Sequence, residues 1–84
     1  LMVNLIGILD VWWTVTGDHA AGPTTFLKIE TAVEMFTNYI YSDWPEEDRK
    51  ELEEEICRSF KIGSTASIEA SNKDFRVVLT SKLI

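Results

Sequence analysis

His19 is the only histidine in the 84 residues, and Asp18 stands directly before it. A carboxylate beside an imidazole is the raw material of a general base and its orienting partner. That chemistry needs a fixed angle between the two side chains, and adjacent residues in a Gly-flanked stretch such as "GDHAAGP" rarely hold one. The expectation for both is a turn. Cys57 is the only cysteine. As a nucleophile it would need a nearby base and a lowered pKa. The acids before it in "EEEICRSF" would raise that pKa instead, so Cys57 reads as a half-buried packing residue.

Acidic chemistry dominates the rest. Glu46, Glu47, Asp48, Glu51, Glu53, Glu54 and Glu55 fall within ten positions, opposed there only by Arg49 and Lys50, a local charge of −5. The remainder of the chain carries −1 of the total −6. Such a cluster could hold Ca²⁺ or Mg²⁺, but its spacing is not that of an EF-hand loop. No glycine-rich phosphate loop occurs, and no metal or other cofactor is expected. The chain reads as non-enzymatic.

Two uses of the acids compete. Charge runs are usually the solvated side of a helix, and acids in a first helical turn favour the dipole. Glu51 to Glu55 lie beyond that turn, however, and only Glu46–Lys50 and Glu54–Arg58 offer clear i,i+4 pairs. Uncompensated like charge points to use as a docking surface. Glu47, Asp48, Glu51, Glu54 and Glu55 are therefore expected to meet a basic surface on another protein. In the sharper form of this reading the carboxylates imitate a phosphate backbone and occlude a nucleic-acid-binding site.

The elements that would position these residues follow from pattern. "NLIGILDVWWTVT", residues 4–16, is rich in β-branched and aromatic types and reads as a strand. Leu5, Leu9, Val11, Trp13 and Val15 share one face with Gly7, which is expected to mark a bulge. "TTFLKIE", residues 24–30, alternates and reads as the return arm of a hairpin, with a helix start as the competitor. Thr31 and Glu34 form a capping-box pattern that opens a helix, with Ala32, Val33, Phe36, Tyr39 and Ile40 on its apolar stripe. A second helix starts near "SDWPE", capped by Asp43 or Trp44, with Leu52, Ile56 and Phe60 as its apolar line. Residues 65–70 and 75–82 alternate as strands across the turn "SNKD". The prediction is an α+β domain over residues 1–84, ββααββ, with a four-stranded, mainly antiparallel sheet and two helices on one face.

That arrangement leaves the other face of the sheet bare. Ile6, Ile8 and Trp12 point to it, and Val78 joins them if the first and last strands are neighbours. Phe26 is a further candidate. An outer face with several large apolar groups predicts a patch for a second copy or a partner, with Trp12 as its anchor.

Charge and composition narrow the setting. A net charge of −6 argues against direct nucleic-acid binding, and the basic residues outside the acidic run, Lys28, Arg58, Lys61, Lys73, Arg76 and Lys82, are scattered. One cysteine excludes an internal disulfide and fits a reducing compartment. Met2 reads as the natural start. No leader or long apolar run occurs, so a cytoplasmic protein without membrane contact is expected. Small size, acidity and the lack of catalytic motifs resemble, in type rather than in motif, small phage or mobile-element proteins that inhibit host machinery. The expected function is a binding module that occludes its partner, assembled as a homodimer; the alternative is an assembly subunit whose purpose is its own oligomer.

Overall fold

Leu5–Trp13, dense in β-branched and aromatic side chains, forms β1. The computed structural model describes residues 4–84, so the Met2 start lies outside the described residues. After β1 come β2 (His19–Phe26), α1 (Ile29–Ile40), α2 (Glu46–Lys61), β3 (Ser67–Ser71) and β4 (Phe75–Leu83). The strands make one antiparallel sheet of order β2-β1-β4-β3. The class and the element order are those expected.

Alternation along β1 and β4 turns Leu9, Val11, Val77 and Leu79 toward α1, where Ile29, Ala32, Val33, Phe36 and Ile40 complete a buried core. α1 packs across β1 and β4, whereas α2 packs chiefly against α1 and sends Phe60 into the core. Leu52 and Ile56 are only half-buried, so α2 forms the outer rim of the helical layer. Asn72, in the turn between β3 and β4, ties the sheet to α1. Its Oδ1 accepts from the backbone N–H groups of Asp74 and Phe75 at 2.9 and 2.8 Å, and its Nδ2 donates to the Tyr39 and Ile40 carbonyls at 3.0 and 3.2 Å.

The first hairpin differs from the sequence reading. β1 stops at Trp13, because Gly17 adopts φ 76° and the chain reverses in four residues. Trp13 N–H donates to the Asp18 carbonyl at 2.8 Å, and Gly17 N–H to the Trp13 carbonyl at 2.9 Å. Val15 is therefore a loop tip, 89% exposed, instead of a core residue. Trp13 is 46% exposed, with its ring stacked on Phe75 at 4.9 Å. The return strand runs from His19 to Phe26, so of the strand expected over 24–30 only Thr24–Phe26 belongs to β2, and Ile29 and Glu30 open the competing helix. A register slip between Leu9 and Val11 accommodates Gly22 and Pro23 in this edge strand, and a second between Val11 and Trp12 accommodates Ala20.

Gly7 lies in regular register, away from those slips. It answers to α1: a Cβ there would collide with Ala32 Cβ and crowd Leu79. Phe26 pairs across from Gly7 and packs against the core, so it does not join the outer face.

The helix starts also shift. α1 begins at Ile29, two residues before Thr31, and its flanking Lys28 makes no side-chain cap bond. The Thr31–Glu34 pattern thus falls inside the helix. Burying Ile29 contributes about 1.5–3 kcal/mol against about 1 kcal/mol for a cap, so burial decides where the helix begins. α2 begins at Glu46, preceded by Pro45 in place of a capping Asp43 or Trp44.

Candidate functional site

α2 presents its acids on two different surfaces. At 3.6 residues per turn, Glu47, Asp48, Glu51, Glu54 and Glu55 span roughly 120° of the helix, centred opposite Phe60. All five are exposed. Among the described residues no cation lies within ion-pair distance of them; Lys50 reaches Glu46 at 3.9 Å. The Glu54–Arg58 pair expected from spacing does not form, since an exposed i,i+4 pair gains only about 0.3–0.5 kcal/mol and must hold two long side chains in place. The five residues therefore make an anionic ridge on the side of α2 turned away from α1, with exposed Arg58 on the same arc one turn beyond Glu54.

Glu53 lies on the other side. Its Oε2 is 3.0 Å from the hydroxyl of Thr37, a fully buried residue of α1. Beside it Arg49 donates from Nη1 to Asn38 Oδ1 at 2.8 Å. Glu53 and Arg49 are thus bound into the α1–α2 contact, exposed Glu46 pairs with Lys50, and the ridge is the exposed part of the acidic run without an ion pair among the described residues.

The second surface is the uncovered face of the sheet. Register places Ile6, Ile8 and Trp12 of β1 on it, and Val78 of β4 beside them opposite Asp10. The four residues come together as their alternation predicts, but the patch is narrower than expected. Ile6 is nearly covered, and Ile8, Trp12 and Val78 are half-buried. Thr25, Thr80, Asp10, Glu69 and Lys82 interleave with them across the strands.

Trp12 is the centre of a polar row that crosses all four strands. His19 of β2 stacks on its ring at 4.8 Å, and the Arg76 guanidinium of β4 lies 4.4 Å from the ring centroid. Arg76 also meets Glu69 of β3 at 3.2 Å, and His19 Nε2 lies 3.8 Å from Asp10 Oδ1. The partner of His19 is thus Asp10 across the hairpin, not its neighbour Asp18. The residue types of this row are visible in the sequence; their meeting depends on a register the sequence does not display.

Cys57 is half-buried on α2, on the opposite side of the sheet from the His19–Trp12 stack. Burial pushes its thiol pKa up, and the Glu30 carboxylate adds to the shift. No group of three or more His, Cys, Asp or Glu side chains among the described residues is placed to hold a metal ion. No helix of the described residues is long and apolar enough to cross a membrane.

Comparison with known proteins finds no matching family model, no similar curated protein and no similar solved structure.

One grouping escapes the sequence reading entirely. Lys28 and Lys61, far apart in the chain, border a single groove at the end of the sheet where α1 begins and α2 ends.

Proposed function

We infer that this chain is a non-enzymatic binding module that docks on a basic surface of a partner protein and occludes it. The observation that carries this reading is the ridge of Glu47, Asp48, Glu51, Glu54 and Glu55, exposed on one helix face with no cation within ion-pair distance among the described residues. Like charges held this close repel one another, and a basic partner would relieve that repulsion while the field of the ridge steers the encounter. In the sharper form of the proposal the partner surface is one that otherwise binds nucleic acid, and the ridge stands in for phosphates. His19 and Cys57 add no rival chemistry to this reading, since they lie on opposite sides of the sheet.

The test replaces all five ridge residues with Gln and leaves Glu53 intact. Wild-type and five-Gln chains serve as baits in cell extract at low and high salt, followed by association kinetics with the captured protein. We expect the variant to associate about tenfold more slowly at low salt, with the difference shrinking as salt screens the charges. Equal association rates for the two chains would remove the ridge from function.

A second reading, self-assembly through the sheet, draws on one observation. The face bearing Ile6, Ile8, Trp12 and Val78 is covered by no other element of the described chain.

A further inference from the structure

We propose that the free edge of β3 takes up a basic, extended segment of the partner as a further strand of the sheet, with α2 as the wall above it. The inference rests on the docking reading above and adds the form of the partner. That form is a strand whose lysines or arginines recur at every second position.

The sheet has two edges, β2 and β3, and they differ. Ser81 N–H donates to the Ala66 carbonyl, and Asn72 N–H to the Phe75 carbonyl. Alternation along the antiparallel ladder then turns the backbone groups of Ile68 and Ala70 toward β4, and those of Ser67, Glu69 and Ser71 outward. Neither turns nor side chains claim these outward groups among the described residues. The strand holds regular register and contains no proline. The β2 edge is guarded instead, since Pro23 has no N–H to offer and two register slips interrupt the row.

α2 stands on the β3 side of the helical layer. α1 covers β1 and β4 and touches β2, which leaves the other side to α2. The chain enters α2 from the end of α1 that Asn72 holds beside the end of β3. It leaves α2 directly into the start of β3, where Ser64 and Thr65 N–H donate to the Ser59 carbonyl. With Glu53 and Arg49 facing α1, helical phase turns Leu52 and Ile56 toward the sheet. Asp48 and Glu55 come next round, on the side away from α1. Leu52 and Ile56 are half-buried, and Asp48 and Glu55 are exposed. A strand laid on the β3 edge would thus run beneath an apolar strip bordered by carboxylates. Lysine or arginine answers both parts: its aliphatic stem covers Leu52 and Ile56, and its charged head reaches Asp48 and Glu55. A second copy fits poorly for the same reason. Pairing β3 with its own copy would bring the two acidic borders alongside each other, at a like-charge cost.

The experiment titrates ¹⁵N-labelled full chain at low salt with a blocked peptide of alternating threonine and lysine, followed by amide chemical shifts. The controls are a threonine–glutamate alternation, the same lysines and threonines in separate blocks, and the first peptide with its backbone amides N-methylated. The first peptide should give saturable shifts below about 1 mM, centred on Ser67, Glu69 and Ser71 and on Asp48–Ile56 of α2. Each control should bind at least about tenfold more weakly. An Asp48→Asn, Glu55→Gln chain should lose about tenfold in affinity. A Glu47→Gln, Glu54→Gln chain, altered on the far border of the ridge, should lose about threefold or less. Ser67→Pro removes one outward N–H where an edge strand tolerates proline, and should lose about three- to tenfold with the rest of the spectrum undisturbed. Shifts on α2 alone, with β3 untouched, overturn the edge proposal and leave the ridge as a docking surface. Equal binding of the glutamate peptide overturns it and also removes the charge of the ridge from the choice of partner. Shifts in β3 that follow protein concentration without peptide overturn it in favour of a second copy.

Discussion

The hydroxyl of Thr37 and the carboxylate of Glu53 meet between α1 and α2 at 3.0 Å. The same hydroxyl lies 2.9 Å from the Glu34 carbonyl, and its single hydrogen serves one acceptor at a time. Among the described residues Thr37 is the one polar residue that is fully buried, and an acid from the charged helix meets its hydroxyl.

Replacing Thr37 by Val keeps the volume and removes the bond, and should cost about 0.5–1.5 kcal/mol of unfolding free energy. Glu53→Gln keeps an acceptor and should cost less. A double-mutant cycle with Glu53→Ala, read by urea denaturation, should give a coupling of about 0.5–1.5 kcal/mol. Additive effects would mean that the carboxylate is as solvated as those on the ridge.

Cys57 should behave as a packing thiol. Its raised pKa keeps it protonated near neutral pH, so iodoacetamide should modify it more slowly at pH 7.5 than it modifies a cysteine in an unstructured peptide. The rate should climb as the pH passes above the ordinary thiol range. Cys57→Ser and His19→Ala should each leave partner binding unchanged. A Cys57 that alkylates faster than the peptide, or a folded His19→Ala chain that no longer binds, would reopen nucleophilic or acid–base chemistry.

Self-association through the uncovered sheet face predicts a twofold dimer at micromolar concentration. Trp12→Asp should dissociate it, but that change also breaks the stack with His19 and Arg76. Ile8→Glu, which leaves the stack in place, is the cleaner variant and should give the same loss of mass in light scattering. A monomeric wild type rules the dimer out.

Much of the fold was legible because it rests on alternation and on helical spacing. Ala32, Val33, Phe36 and Ile40 occupy the buried stripe their periodicity implies, and Ile6, Ile8, Trp12 and Val78 share the face that alternation assigns them. What failed was governed by geometry between elements. The positive φ of Gly17 fixes where β1 ends, and nothing in "TVTGDH" separates a four-residue reversal from a longer one. Gly7 answers to Ala32, twenty-five positions away, a contact that no local pattern encodes. The ridge was legible as charge and its five residues already excluded Glu53, but the Thr37 hydroxyl that Glu53 meets is visible only in the fold. The two lysines at the groove come from a helix start and a helix end, and only the fold brings them together.

The sheet order β2-β1-β4-β3 carries a consequence for how the chain finds its shape. Read as β3-β4-β1-β2, it is a simple up-and-down meander whose middle connection is missing, because the first and last strands meet there. Ile84 N–H donates to the Asn4 carbonyl at 3.0 Å. The central seam, from Leu5 opposite Leu83 to Trp13 opposite Phe75, can form only by closing nearly the whole chain. Contacts of such long sequence separation slow folding without making the product less stable. A circular permutant joined at the ends and opened between Ser42 and Asp43, in the exposed turn between the helices, would make every strand pair a local hairpin. It would keep the native packing and transfer the long closure to the α1–α2 contact. We expect its refolding limb in a chevron to be faster than that of the native order, with similar unfolding; equal refolding rates would show that the seam is not what the chain waits for.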